Sequence, residues 1–246
     1  MYDPTGNAKE KSVQTVQFTE AEPPKHLSDF VHRYLQVKTD TPLENDYRFH
    51  ALPDACIYVV FDQVNPNITG VCKLQASSEE LNLGKSFHYV NIRFLPGVWQ
   101  GSRAQIIHGM INAPYTGELP LLDINTALCE QSFQEQQFAL NQLVEKLIAM
   151  GLVAANPLTK KIFEHVDEIH SVSDMAAVSE ISSRQLQRTL KRTTGFTPHD
   201  FLKILRLQQS LNGNGAVSYA DQSHFIHSFR KATGYTPGQY SRKFDV

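Results

Sequence analysis

Apolar residues recur along this chain with two different periods, and the change from one to the other divides it. Up to about residue 97 the signal is that of strands. Tyr47–Ala51, Cys56–Asp62 (CIYVVFD), Ile68–Gln75 and Phe87–Phe94 (FHYVNIRF) are short runs rich in β-branched and aromatic residues. Asn65-Pro66-Asn67 and Pro96-Gly97 break the pattern where turns are needed. Residues 1–24 are polar and end in Pro23-Pro24, which reads as a loose arm. Leu27, Phe30, Val31, Tyr34 and Leu35 have the spacing of a helix from about Leu27 to Val37. From Ser132 to Leu152 the period turns helical, with Phe133, Gln137, Leu140, Val144, Leu147 and Ile148 on one face and Phe138 and Leu143 broadening it. Such a face packs on the chain's own β body or pairs with its copy in a second subunit. Another helix is expected from about Leu158 to Glu168, with Ile162, Phe163, Val166 and Ile169 on one side, and Ser171-Val172-Ser173-Asp174 opens a short one that ends near Ser179.

Near the end of the chain one phrase is written twice. Residues 182–203 (SSRQLQRTLKRTTGFTPHDFLK) align with residues 221–242 (DQSHFIHSFRKATGYTPGQYSR) at a fixed offset of 39. In that register Leu186 and Leu190 meet Phe225 and Phe229, and Thr194-Gly195-Phe196-Thr197-Pro198 meets Thr233-Gly234-Tyr235-Thr236-Pro237. A repeated phrase implies a repeated supersecondary unit. Each copy predicts a helix, a glycine stop and a new helix. Ser182 and Asp221 are good N-caps, and Gln185 stands three residues after Ser182, the capping-box spacing. Gly195 and Gly234 suit the left-handed residue that ends a helix, while Thr197-Pro198 and Thr236-Pro237 restart one. The outward face of the first copy carries Arg184, Gln185, Gln187, Arg188, Lys191 and Arg192; that of the second carries Gln222, Ser223, His224, His227, Arg230 and Lys231. Long donors of this kind meet phosphates and base edges. A plain solvated face would look similar in a single helix; duplication and charge favour the interface.

Charge sharpens that picture. The net charge of −2 hides a split: residues 1–156 hold 11 Lys+Arg against 17 Asp+Glu, and residues 157–246 hold 12 against 8. Within 182–243 the count is 10 against 2, so the positive charge falls on the duplicated helices. An apolar share of 41% over 246 residues is ordinary for a globular chain with one large or two modest domains. No apolar run reaches the roughly 20 residues that span a bilayer. The N-terminus lacks the apolar core of a secretory signal, and Cys56, Cys72 and Cys129 are too few and too scattered for a disulfide framework, so a cytoplasmic setting with buried thiols is expected.

A short helix, a tight turn at Glu180-Ile181 and the basic helix from Ser182 together predict a helix-turn-helix. At this point residues 172–244 resemble the DNA-binding domain of the AraC/XylS family of bacterial transcription regulators. The stretches that carry the resemblance are SSRQLQRTLKRTTGFTPHDFLKILRLQQSL and YADQSHFIHSFRKATGYTPGQYSRKF, the second (Tyr219 to Phe244) being close to that family's most recognisable signature. The resemblance implies two helix-turn-helix units joined by a linker helix, each placing a recognition helix in a major groove about 34 Å apart. By motif position Arg184, Gln187, Arg188, Gln222, Ser223, His224 and His227 would contact bases. Ser182, Lys191, Arg192, Arg230 and Lys231 would contact phosphates. Residues 47–62 and 92–97 are similar, more faintly, to the sensing domain of one AraC-type subgroup.

The organisation expected is therefore α+β: a mostly-β sensing or dimerisation domain over residues 1–155 and an all-α DNA-binding domain over 156–246. The partners expected are double-stranded DNA, a small-molecule effector and RNA polymerase, with no membrane, no cofactor, and the chain a monomer or homodimer. One departure stands out. Only nine residues, NGNGAVSYA, separate Leu211 from Asp221, about ten fewer than the family pattern needs for the first helix of the second unit. That shortening supports a rival in which the chain is a truncated protein that pairs with a full-length regulator and antagonises it. Enzyme chemistry is not expected: there is no Gly-rich phosphate loop, no GxSxG elbow and no HExxH helix. Ten histidines raise the question of a metal, but His50, His88 and His108 lack ligand spacing, and His224 and His227 fall on one helix face.

Overall fold

Two sheets and a helical tail follow from that pattern. The computed structural model describes residues 2–4, 7–11, 15–211 and 222–245. The strands are β1 (Asn7–Glu10), β2 (Val16–Ala21), β3 (Val31–Thr39), β4 (Tyr47–Ala51), β5 (Ile57–Asp62), β6 (Thr69–Lys73), β7 (Glu79–Gly84), β8 (His88–Phe94), β9 (Ile106–His108) and β10 (Phe244–Asp245). Six of them form a sheet in the order β2-β3-β8-β5-β6-β9, antiparallel except for the β6–β9 pair. The other four run β10-β1-β4-β7.

The central strands are buried on both faces, which is why they read as near-continuous apolar runs. On β8, Val90, Ile92 and Phe94 point to one side and join a core with Val59, Phe61 and Val71. Helices α1 (Leu121–Leu128) and α2 (Phe133–Ala149) cover that side through Leu121, Leu128, Leu140, Val144 and Leu147. Each such buried side chain stabilises by about 1.5–3 kcal/mol, so this face of α2 is committed to the chain's own body. Phe138, expected to broaden that face, instead stands 68% exposed. Ser132 and Glu135 close the start of α2 with a complete capping box.

Two expectations for the first forty residues are corrected. The stretch Leu27 to Val37 is no α-helix: a 3-10 turn, Lys25–Leu27, gives way to β3. Its helical spacing came from two-sided burial. Tyr34 turns toward α2, where its hydroxyl donates to Asn141 at 2.6 Å, while Leu35 and Val37 turn toward the second sheet. The loose arm is also wrong in part, because Val16 is fully buried and β2 pairs with β3 in register from Val16–Thr39 to Ala21–Tyr34. Cys56 and Cys72 are buried as expected, whereas Cys129 is only half-buried.

The tail holds α3 (Pro157–Glu164), α4 (Val172–Val178), α5 (Ser183–Thr193), α6 (Pro198–Gln209), α7 (Gln222–Thr233) and α8 (Pro237–Lys243). Leu186 and Leu190 of α5 are fully buried with Ile162, Met175 and Phe201, in a core that Tyr2 and Ala55 of the body also enter. Glu180 sits at φ +55 in the turn between α4 and α5, and Gly195 and Gly234 take φ of 84 and 81 at the ends of α5 and α7. The left-handed backbone at those two glycines is the expected helix stop. The N-cap at Asp221 and the short 212–220 segment lie outside the described residues.

Candidate nucleic-acid interface

The row of long donors on α5 owes its direction to the helix's buried side. With Leu186 and Leu190 in the core, the helical period turns Arg184, Gln185, Gln187, Arg188, Lys191 and Arg192 outward, and all six are exposed. The start of the helix is fixed by its cap: Ser182 Oγ accepts from Gln185 N, and Gln185 Oε1 accepts from Ser182 N at 3.0 Å. Ser182 Oγ also donates to Gln185 Oε1 at 2.9 Å, so this side chain is occupied with capping as well as lying on the outward face. At the other end Lys191 Nζ donates to Gly195 O at 3.0 Å, folding over the last turn.

On α7 the same argument turns Gln222, Ser223, His227, Arg230 and Lys231 outward, and all are exposed. The side chain of His224 lies outside the described residues. Phe229 supplies the buried side, packed with Leu207, Tyr240 and Phe244 and with Leu52 of the body. Thr236 and Gln239 cap α8 with a complete capping box. The two copies thus present comparable outward rows, as the sequence alignment predicts.

Both pairs are seated on the β body. Arg103 Nη1 donates to Lys191 O at 2.8 Å, and its other amino group reaches Arg192 O. Lys73 Nζ lies 5.2 Å from the centre of the Phe196 ring. A cleft of about 460 Å³ opens beside these groups. Burial, then the nearby Arg103 and Lys191, pushes the Lys73 ammonium below its ordinary value. The second pair is held by aromatic contact. The His50 ring stacks on Phe244 (4.9 Å, 17°) and meets the edge of Tyr235 at 5.6 Å, and neither imidazole nitrogen has a hydrogen-bond partner among the described residues. Burial is the main force lowering the His50 pKa; Glu80 opposes it and Lys243 adds to it. β1 pairs with both β4 and β10, and Lys11 N donates to Lys243 O at 2.9 Å.

A feature that sequence reasoning missed lies between the two sheets. There a cavity of about 100 Å³ is walled by apolar side chains from β2, β3, β4, β5 and β7, among them Phe18, Leu35, Phe49, Val60 and Leu81. Asn91 and Arg93 of β8 also line it. The signal available in the sequence was a lone arginine inside the apolar run FHYVNIRF. Among the described residues no group of three or more His, Cys, Asp or Glu is placed to hold a metal ion, and no helix is long and apolar enough to cross a membrane.

Comparison with known proteins gives three findings. Residues 19–116 match a family model described as a domain of unknown function (DUF6597). Over 97 residues the chain is 26% identical to the HTH-type transcriptional regulator MtrA of Neisseria gonorrhoeae, covering 35% of this chain and 32% of that protein. The chain therefore spans about a third of the length of the curated relative it matches. Two crystal structures of ToxT from Vibrio cholerae align across most of both chains. One is an apo variant from strain SCE256, at 11% identity and a TM-score of 0.41, covering 94% of this chain and 97% of that one. The other is a P21 crystal form, at 10% identity and a TM-score of 0.42, covering 92% and 98%. Likeness of that order assigns no residue role.

Proposed function

We propose that this chain is a DNA-binding transcription regulator of the AraC type, with the β body of residues 1–155 sensing an effector and residues 156–246 reading DNA. Its relative MtrA is a transcription regulator rather than an enzyme, and the exposed cationic row on α5 carries the reading for this chain. Six long polar side chains on a helix capped at its start and stopped by a left-handed glycine form a rigid comb of donors. Arg184, Gln187 and Arg188 lie nearest the capped end and would contact bases; Lys191 and Arg192 would hold phosphates. On α7, Gln222, Ser223, His224 and His227 would read a second site, with Arg230 and Lys231 on the backbone.

The cavity between the sheets supports the sensing role, because it is mostly apolar and furnished with a few polar groups, as small-molecule sites are. A gel shift with DNA from upstream of the chain's own gene tests the main reading. Binding is expected, with affinity falling steeply as salt rises. Absence of a shift, together with tight binding to a full-length relative, would overturn it in favour of an antagonist that works by pairing.

A further inference from the structure

Three cations from different elements converge on the glycine that ends α5. The backbone of Gly195 is left-handed, and a Cβ placed there would fall 2.6 Å from Lys73 Nζ and 3.3 Å from Arg103 Nη1. Lys191 Nζ reaches the same residue from the helix, donating to Gly195 O at 3.0 Å. Lys73 belongs to β6, Arg103 to the 3-10 turn before β9 and Lys191 to α5, and all three line the cleft of about 460 Å³. Like charges gathered in this way repel, the more so where burial keeps water away.

The surrounding groups leave that charge unmatched. Among the described residues Lys73 Nζ has the Phe196 ring beside it and no carboxylate within ion-pair distance. Arg103 spends N–H groups on the carbonyls of Lys191 and Arg192, which are neutral acceptors, and a guanidinium has more to give. The carboxylate among the described lining residues is Asp200, and it is already engaged: it accepts from Thr197 Oγ1 at 2.7 Å and faces Lys203 at 3.5 Å. A phosphate has oxygens on several sides, so it can meet donors that arrive from a sheet, a turn and a helix together.

Position says where the phosphate comes from. Lys191 belongs to the outward row of α5 as well as to the cleft, and Arg192 and residues 102–105 are exposed. Phosphates follow one another about every 3.4 Å along the axis on each strand of a duplex. A strand held at the end of α5 therefore carries further phosphates past the cleft. Charge points the same way. Residues 1–156 hold 17 Asp+Glu against 11 Lys+Arg, a balance that repels DNA, yet two of those cations stand against the basic helix.

We propose that Lys73, Arg103 and Lys191 hold a DNA backbone phosphate, a neighbour on the strand of those met by the outward row of α5, so that the β body itself takes part in DNA binding. The assignment rests on the DNA-binding role proposed above and extends it from the tail to the body. It carries no base preference, because it meets phosphate alone.

The test compares the full chain with Lys73→Met, which keeps an apolar stem against Phe196 and removes the charge. Both are titrated across a range of salt with a duplex from upstream of the chain's own gene and with a scrambled duplex. Lys73→Met should weaken both duplexes alike and reduce the slope of log affinity against log salt by about 0.9. Lys73→Arg should restore the slope, and Lys85→Met, at an exposed position of the body outside the cleft, should leave it unchanged. Hydrogen exchange in α5 should be the same in Lys73→Met as in the wild type. An unchanged slope in Lys73→Met, with the wild-type chain binding DNA, would overturn the site and leave the DNA-binding role standing. No binding by the wild-type chain would overturn both. An equal drop for Lys85→Met would mean diffuse charge and would overturn the site as well. Calorimetry of the DNA-free chain with inorganic pyrophosphate separates the other source of phosphate. Binding that Lys73→Met removes, together with an unchanged slope on DNA, would assign the cleft to a free phosphorylated molecule and overturn the DNA assignment.

Discussion

The two copies of the duplicated phrase rest on the β body by different chemistry. In the first, the end of α5 meets Arg103 through main-chain carbonyls and Phe196 meets the Lys73 ammonium, while the buried leucines pack against α3, α4 and α6. In the second, Phe229 and Tyr240 share a core with Leu52, and His50 fills the space between Phe244 and Tyr235. The first pair builds most of its interior from the tail, with Tyr2 and Ala55 of the body at its margin; the second sets Leu52 and His50 of the body among its aromatic rings. Two copies of one helix–glycine–helix pattern therefore rest on the body by different side chains. The copies share the Thr-Gly and Thr-Pro positions and an apolar pair at each buried face, and differ at most others and in what surrounds them.

The largest test of this contrast is truncation of the two interiors. Leu186→Ala and Leu52→Ala should each cost about 2–5 kcal/mol, the usual range for a buried leucine. Hydrogen exchange should show Leu186→Ala loosening α5 and Leu52→Ala loosening α7 and α8 with α5 intact. Equal loosening of both pairs by Leu52→Ala would erase the distinction.

Acid should act next. Burial pushes the His32 imidazole down to about 4, against an ordinary value of 6.5, despite its bond to Asp3. A histidine depressed in the folded state stabilises in its neutral form, so its contribution is present above about pH 6.5 and lost as pH falls toward 4. That loss is on the order of 2–3 kcal/mol for His32, and His50 shifts in the same direction. Urea melts at pH 7.5 and 4.5 should show the loss, and His50→Phe should make the exchange protection of α7 and α8 less sensitive to acid. A pH-independent midpoint would contradict the buried neutral state of both rings.

On DNA the rows can be compared directly. Arg184→Ala and His227→Ala should each cost about 1–3 kcal/mol at one base position, read by binding to a panel of single-base variants. Lys191→Ala should weaken all sequences alike and reduce the salt slope by about 1. Loss on α5 with none on α7 would mean that only the first unit reads bases. The smallest effect is expected from Arg103→Ala, about 1 kcal/mol, seen as faster exchange in the last turn of α5 alone.

How much of this was legible depended on whether the signal was local. Capping boxes, glycine stops and Thr-Pro restarts are written within four or five residues, so the starts of α5, α6 and α8 were readable to within a residue. Strands β4, β5, β6 and β8 announced themselves by composition. β7 (EELNLG) did not, because only Leu81 and Leu83 face the cavity while its other side is polar. β3 was misread because a strand buried on both faces mimics a helical stripe. The outward rows were predictable from the buried ones. The cavity was not: Arg93 becomes meaningful only when β4 and β7 close over it, and no spacing along the chain records that closure. Nor does the text around His50 mention Tyr235 or Phe244.

Arg103 carries one more consequence. The carbonyls of a helix's last turn gather partial negative charge, and a cation there steadies the end against fraying. In this chain the guanidinium that meets the carbonyl of Lys191 comes from 88 positions away along the chain. The last turn of α5 is thus finished by a residue outside it. Any shift of the 3-10 turn that carries Arg103, just before β9, would withdraw that counter-charge and let α5 shorten from its far end, changing its reach without touching a single side chain on its outer row.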